Sequence, residues 1–399
     1  MSQSGKLIAA LAVLQALLLT NNALTFLLAP LIGVQLAPNP AFATVPLTAF
    51  VLGAAATTLP ISLLMKKSGR RTGFLLGAVI GICGAVLGAV ALLLESFPLF
   101  LASAFCGGSY SATGQYYRFA AAESVAVEAR GRAISWVLAA GLIGAFVGPE
   151  TGNRTLQLFS TFFLGSYVAL IGFALATFAL LLFVRFPDPE AHDPSGGAPA
   201  RPLFEIIAQP RIIAAMIGAI IGYAEMNFLM TSTSLAMSQH NHTGGDAAFV
   251  IEWHIVAMFA PSFVTGMLLQ RFGTTKVMGC GALLMMATIA VASSGTSVAA
   301  FWTALVLLGV GWNFLYIGGT ALLTASHRVS ERGKVQGLND MLVFVGTGTS
   351  SMLSGALLHY SGWHTMVLVT LPLPLIALGV LYWARNSREA DHAPVEGAE

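Results

Sequence analysis

Ser62-Leu63-Leu64-Met65-Lys66-Lys67-Ser68-Gly69-Arg70-Arg71 stands between two long apolar runs, and Gly266-Met267-Leu268-Leu269-Gln270-Arg271-Phe272-Gly273-Thr274-Thr275 stands between two more. A shift of 204 lays Lys67 on Arg271 and Gly69 on Gly273. A second pair agrees, because Arg130-Gly131-Arg132 falls on Arg332-Gly333-Lys334 at a shift of 202. One such match is easily chance. Two at nearly one offset point to an internal repeat, a common construction in membrane transporters.

Outward from these loops the chain is almost wholly apolar. It has 399 residues, 56% hydrophobic and 9% charged, against roughly 25% charged in an ordinary soluble domain. That excludes a water-soluble globular enzyme. The 42 glycines and 17 prolines follow no three-residue period, which excludes a collagen-like chain. A helix needs about 20 mostly apolar residues to cross a bilayer, and twelve runs qualify: Leu7 to Ala29, Ala43 to Met65, Thr72 to Leu94, Phe97 to Ala121, Ala133 to Gly152, Phe159 to Val184, Ile212 to Met237, Ala247 to Leu269, Val277 to Ser293, Val298 to Ala325, Val335 to Leu358 and His364 to Trp383. The first is too long for a secretory signal and lacks a small-residue cleavage site, so it reads as an uncleaved span. Cys83, Cys106 and Cys280 lie inside these runs at spacings that fit neither a zinc site nor a disulfide framework, and read as small core residues.

Of the 19 basic residues, all but Arg118 and Arg154 fall in segments that a cytoplasmic N-terminus would place inside. The positive-inside rule then predicts cytoplasmic termini and an even span count. Between Arg185 and Arg211 the chain carries Pro187, Pro189, Pro194, Pro199, Pro202 and Pro210 with Gly196 and Gly197, which is linker chemistry. The expected organisation is a six-helix half at 1–185, a linker at 186–210, a second six-helix half at 211–385 and a tail at 386–399.

With these residues in view, the sequence resembles the major facilitator superfamily along essentially its whole length. The loop at Ser62 to Arg71 is similar to that family's signature Gly-x-x-x-Asp-Arg-x-Gly-Arg-Arg, with Ser62 in place of the leading glycine and Lys66 in place of the acid; the second copy keeps Gly266 but has Gln270 at the acidic position. Gly69, Arg70, Arg71, Arg271 and Gly273 are the conformational residues this resemblance implies. In the fifth run Gly144-x-x-x-Gly148-Pro149-x-x-Gly152 resembles a motif of the family's exporters. Glycines four apart also let helices approach closely, and a proline permits a bend, so a packing role competes with that reading. The implied fold is all-α, 12 transmembrane helices in two pseudo-symmetric six-helix bundles, working by alternating access.

Ionisable groups inside spans cost a few kcal/mol and are functional candidates: Arg118, Glu123, Glu150, Glu225, Glu252, His254 and Asp340. Glu225 lies roughly 20 Å into the seventh run from one side, and His254 roughly 10 Å into the eighth from the other. In a core about 30 Å thick these depths coincide, so the expected proton-coupling site is Glu225, either alone or together with His254. Arg118 has Thr320 at its repeat position and must find an acceptor, either an anionic substrate or a protein carboxylate such as Glu123 or Glu150, in a substrate or gate role or as a structural ion pair. Asp340 reads as a helix-start acid facing Lys334. The family's cavity is lined by the first, fourth, seventh and tenth spans, which here carry Asn21, Asn22 and Thr25; Gln115, Tyr116 and Arg118; Tyr223, Glu225 and Asn227; and Trp312, Asn313 and Tyr316.

No Walker loop, nucleophile arrangement or metal-ligand cluster is legible, and no basic face suits nucleic acid. The His240-Asn241-His242 run reads as a solvated loop. The expected protein is therefore not an enzyme and needs no cofactor or metal. It is a monomeric secondary transporter of the bacterial inner membrane, in contact with lipid and moving a small organic molecule with protons. Export by antiport is favoured by the glycine-proline motif. Uptake of a nutrient, including a heteroaromatic vitamin, is the alternative, and a membrane enzyme or a non-transporting sensor is a minor one.

Overall fold

The computed structural model describes residues 3–39, 42, 45–186 and 199–391. Pro187, Pro189, Pro194, Gly196 and Gly197 of the expected linker, and 392–399 of the expected tail, lie outside the described residues. Helix follows helix, and no strand occurs among the described residues. The first series is α1 (Gln3–Leu36), α2 (Val45–Ser68), α3 (Arg70–Leu93), α4 (Phe97–Gly114), α5 (Tyr117–Glu123), α6 (Arg130–Ala139), α7 (Gly141–Thr155) and α8 (Leu164–Phe183). The second is α9 (Leu203–Ile207), α10 (Pro210–Gln239), α11 (Gly244–Phe259), α12 (Ser262–Phe272), α13 (Thr274–Ser294), α14 (Val298–Thr324), α15 (Arg332–Val369) and α16 (Pro372–Asp391). The expected linker thus contains a short helix, and the last helix continues six residues past 385 (386–391) into the expected tail.

Nine helices among the described residues are long and apolar enough to cross a membrane, or ten if the pair at Gly245–Phe259 and Ser262–Phe272, bent by 41°, is one span. The expected twelve are not reproduced helix for helix, for local reasons. The fourth run tightens into a turn at Gln115 and Tyr116 and so divides between α4 and α5. The eleventh and twelfth runs are joined through α15, whose helical backbone is interrupted only by Gly362 at φ 73°. The bend between α11 and α12 falls at Pro261, which has no amide hydrogen to continue the ladder.

By contact the chain forms two units, Met1–Pro199 with Arg328–Gly348, and Ala200–His327 with Thr349–Glu399. The first half of α15 therefore belongs with the first unit, a grouping that the division at the linker did not contain. Inside the first unit α4 packs on α2 and α3, α8 on α3 and α1, and α7 on α1. Inside the second, α14 packs on α11 and α13, and α16 on α13 and α10, so the same pairings recur in each. The repeat also appears in backbone geometry. Gly69 alone joins α2 to α3 at φ 85°, ψ 158°, and Gly273 alone joins α12 to α13 at φ 86°, ψ 149°. Only glycine enters that region without strain, which is why both copies keep it. The second matched loop forms a 3₁₀ turn in both copies, Val127–Ala129 and Val329–Glu331.

Glycine supplies the closest helix contacts. A Cβ on Gly108 would sit 1.8 Å from the Phe50 carbonyl oxygen, and one on Gly53 would sit 2.0 Å from that of Phe105, so α2 and α4 touch backbone to backbone. Gly144 and Gly148 do the same for α7 against α1, with imagined Cβ atoms 2.5 Å from Thr20 N and 2.8 Å from Thr20 O. Outward faces are apolar, with Leu52, Val86, Ile143, Leu175, Leu283 and Leu353 exposed, as lipid-facing surface requires. Cys83 and Cys280 share those faces, correcting the core reading, while Cys106 is half-buried. Gly108→Leu should destabilise the chain by roughly 3 kcal/mol or more, since backbone cannot yield as a side chain can. Gly279→Ala, where an added Cβ meets nothing within 4 Å, should leave the melting temperature in detergent unchanged.

Candidate functional site

In the first unit two sets of buried charges form two tiers. Arg118 is 1% exposed. Its Nη1 donates to the Gln115 carbonyl at 3.0 Å and to Gln115 Oε1 at 2.9 Å, filling acceptors next to the turn that divides α4 from α5. Its Nη2 lies 2.5 Å from Asp340 Oδ1, the same oxygen that accepts from Asn339 Nδ2 at 2.7 Å. The guanidinium also stands 4.5 Å from the centre of the Phe119 ring. The second tier is Arg70, whose Nη2 and Nε reach the two oxygens of Glu123 at 2.6 and 3.2 Å. Gln336 closes the triangle, accepting from Arg70 at 2.6 Å and donating to Glu123 at 3.2 Å. Forked, charge-assisted pairs of this kind are strong and direction-specific. Gln336 and Asp340 are four apart on α15, so one helix face serves both tiers.

These contacts supply a protein carboxylate to Arg118, but neither of the two named as examples. Arg118 takes neither Glu123, which belongs to Arg70, nor Glu150, which pairs at the exposed surface with Arg154 at 2.6 Å. Its acceptor is Asp340, 222 residues away, and Asp340 is a buried partner two turns into α15 rather than a helix-start acid. Tyr116 donates its hydroxyl to the Thr58 carbonyl at 2.9 Å, and Asn22 donates to Ser111 Oγ at 2.8 Å, so both tie helices together. Asn21 and Thr25 are buried beside Asn22 on α1. Arg71 donates to the Leu182 carbonyl in the last turn of α8 at 2.6 Å, and Arg271 is exposed.

In the second unit Glu225 is fully buried on α10, and neither of its carboxylate oxygens has a hydrogen-bond partner. Gly222, one turn earlier on the same face, packs on Leu315 and Trp312 of α14. His254 is also fully buried, with Nδ1 2.7 Å from the Leu305 carbonyl and Nε2 without a partner. No hydrogen bond or ion pair joins His254 to Glu225 in this structure, which leaves Glu225 alone of the two alternatives in contact terms. Asn313 is a structural pin at the bend before α12: its Nδ2 donates to the Met258 carbonyl and to Ser262 Oγ, each at 2.6 Å, and its Oδ1 accepts from Thr265 at 2.7 Å. Asn227 donates to Ser350 Oγ at 3.3 Å. Glu252 lies on an exposed face of α11. His242, read as solvated loop, holds the Thr296 carbonyl at 2.6 Å.

What remains is an aromatic set. The Trp312 and Tyr316 rings stack at 5.1 Å, and Tyr223 meets both edge-on at 5.2 and 4.7 Å. Phe259 meets Trp312 from another side at 5.7 Å. The residues missed in the sequence are Gln336 and Asn339, which with Asp340 make a polar i, i+3, i+4 stripe on an otherwise apolar run. That stripe was the available signal. Chemically, the two units offer buried ion pairs in one and an unpaired carboxyl with stacked aromatic rings in the other. Removing one partner of the Arg118–Asp340 pair, as Arg118→Ala or Asp340→Asn, should cost about 3–5 kcal/mol, because an uncompensated charge stays buried. The double replacement Arg118→Met, Asp340→Leu should recover most of it in thermal unfolding.

The Major Facilitator Superfamily profile matches residues 11–251 and 215–399. The riboflavin transporter RfnT of Brucella anthropi is 38% identical over 373 residues, covering 92% of this chain and 93% of that protein. The uncharacterized MFS-type transporter YdeG of Bacillus subtilis is 31% identical over 372 residues, 89% of this chain and 86% of that one. Among solved structures, the human organic anion transporter MFSD10 superposes with a TM-score of 0.78 at 15% identity, over 96% of this chain and 100% of that one. A structure of the Escherichia coli fucose:proton symporter FucP gives 0.75 at 17% identity, over 97% and 99%. At such identities these two speak for the fold alone. Profile, relatives and fold agree, and the chain belongs to the major facilitator superfamily, a multi-pass membrane transporter rather than an enzyme.

Proposed function

We propose that this chain imports a planar heteroaromatic nutrient of riboflavin's chemical class, driven by protons. The observation that carries the reading is the full-length likeness to a riboflavin transporter. The aromatic set of Tyr223, Trp312 and Tyr316 supports it, since stacked rings suit a flat, weakly polar solute better than a sugar or an inorganic ion. The export reading rests on Gly144, Gly148, Pro149 and Gly152, and the contact of α7 with α1 gives those glycines a packing role that needs no transport direction.

Proton coupling is assigned to Glu225. A carboxylate held dry and without a donor is costly, whereas the neutral acid is far less so, and that difference lets proton uptake accompany a change of environment. His254 keeps a supporting place through its unpartnered Nε2. In this reading Arg118 acts as a gate, held by Asp340 and Gln115 rather than by substrate. The basic loops, with Lys66, Lys67, Arg70, Arg71, Arg130 and Arg132, support cytoplasmic termini in an inner membrane. The halves at 1–185 and 211–385 act as the moving bodies of a monomer.

Expression in a riboflavin-requiring bacterium that lacks its own uptake should restore growth at low riboflavin. In sealed proteoliposomes an imposed proton gradient should drive riboflavin accumulation; Glu225→Gln should keep exchange of riboflavin across the membrane and lose the accumulation. No riboflavin flux by the wild type would end the import reading. Accumulation by Glu225→Gln equal to wild type would end the coupling assignment.

A further inference from the structure

Buried indole N–H groups ordinarily find an acceptor, because leaving one unmade costs the desolvation of the donor. The second unit follows that rule at Trp363, whose Nε1 donates to the Ala292 carbonyl at 3.0 Å. It breaks it at Trp312, which is 1% exposed and has no acceptor for Nε1. Trp302 also lacks one, but it is half-buried near the start of α14, in contact with Trp253, where a wet membrane interface can serve it. Trp312 lies further along the same helix, roughly 15 Å from Trp302 at 1.5 Å per residue, at the centre of the aromatic set.

Geometry shows how that set could receive a ring. Trp312 and Tyr316 are four apart on α14 and stack, 5.1 Å between centres and 21° between planes, so each covers part of one face of the other. Tyr223 of α10 stands edge-on to both, at 79° and 80°, and unlike them it is half-buried. A ligand therefore meets Tyr223 first. A change of its χ1 rotamer vacates the place it holds against the stacked pair, next to a Trp312 N–H that has no partner. The fit is to a fused, planar heteroaromatic ring carrying an acceptor, a carbonyl oxygen or an imine nitrogen, at its edge.

Resting on the import reading above, we propose that Trp312 is the specificity-determining residue of that site. It holds the substrate's fused ring in the place that Tyr223 vacates against the Trp312–Tyr316 stack and donates its indole N–H to a ring acceptor, so recognition is of the ring and not of the substituent attached to it. Tyr223 acts as the cover. The substrate class is accordingly set by ring edge chemistry: isoalloxazines qualify, and open-chain polyols do not.

The test is equilibrium binding to the full chain in detergent, read by quenching of flavin fluorescence on stacking. The probes are riboflavin, lumiflavin, which is the ring without the polyol, and ribitol as a competitor, with a pterin and a purine read by thermal shift. Lumiflavin should bind and ribitol should not compete. Trp312→Phe, which keeps stacking and loses the donor, should weaken riboflavin and lumiflavin by the same factor, about tenfold. Trp312→Leu should abolish both, and Trp302→Phe should change neither. Should Trp312 variants fail to fold, Tyr223→Leu, at a half-buried position on another helix, should still alter lumiflavin affinity at least threefold, and an unchanged value would overturn the proposal. So would folded Trp312→Phe and Trp312→Leu proteins that bind lumiflavin within twofold of wild type, or a wild type that binds none of the planar rings. Trp312-dependent binding of the pterin or purine without riboflavin would sink the riboflavin class while leaving the ring site standing.

Discussion

Inside a bilayer no water is available to a stray N–H, C=O or charge, so each polar group within a span must be met by another part of the chain. This constraint explains most of the polar residues seen here. Where helices break, a side chain arrives to take up what the break exposes: Arg118 reaches the Gln115 carbonyl, and Asn313 reaches that of Met258 at the bend before α12. Where a helix ends, Arg71 reaches Leu182. Two pairs of buried charges have amide support, Arg70 with Glu123 and Gln336, Arg118 with Asp340 and Asn339. The second unit has several fully buried polar atoms without a partner, on Glu225, Trp312, His254, Ser232 and Thr320, and among these Glu225 lacks a partner at both carboxylate oxygens and Trp312 at its one donor.

Much of the architecture is readable from the chain alone because lipid makes its demands locally. Span length, basic loops and glycine at Gly69 and Gly273 are all short-range requirements, and the structure shows the same φ in both copies of the loop. Counting helices fails where continuity rather than apolarity decides the answer, at Gln115–Tyr116 and at Gly362. The candidate site is less readable, for a related reason. Which carboxylate Arg118 finds depends on a residue 222 positions away, and no helical spacing reveals that. Asn313 suggests a cavity because a polar residue in an apolar run looks functional; its neighbours at the bend show a structural use. Glu225 and His254 share a depth without a bond between them, because equal depth does not fix which way two helices face.

The signature loop illustrates compensation. With Lys66 and Gln270 where acids are expected, the basic turn needs other acceptors, and Glu123 with Gln336 supplies them to Arg70. The Lys66 stem instead lies against Gly333, whose imagined Cβ would be 3.0 Å away. Sequence motifs thus mark where a contact must be made more faithfully than they mark which residue makes it. The same holds for Gly144 and Gly148, whose close approach to α1 is a requirement of packing whichever way the substrate moves.

On this account Glu225, with both carboxylate oxygens unpartnered, is the carboxyl that binds the proton, while Glu123 and Asp340 are held as carboxylates by Arg70 and Arg118. Treatment of the purified chain with a hydrophobic carbodiimide, which reacts with carboxylic acids in apolar surroundings, followed by peptide mass spectrometry, tests it most directly. Labelling should concentrate on Glu225 and fall when riboflavin is bound, with Glu123 and Asp340 protected by their arginines. Labelling of Glu123 or Asp340 with Glu225 untouched would contradict it.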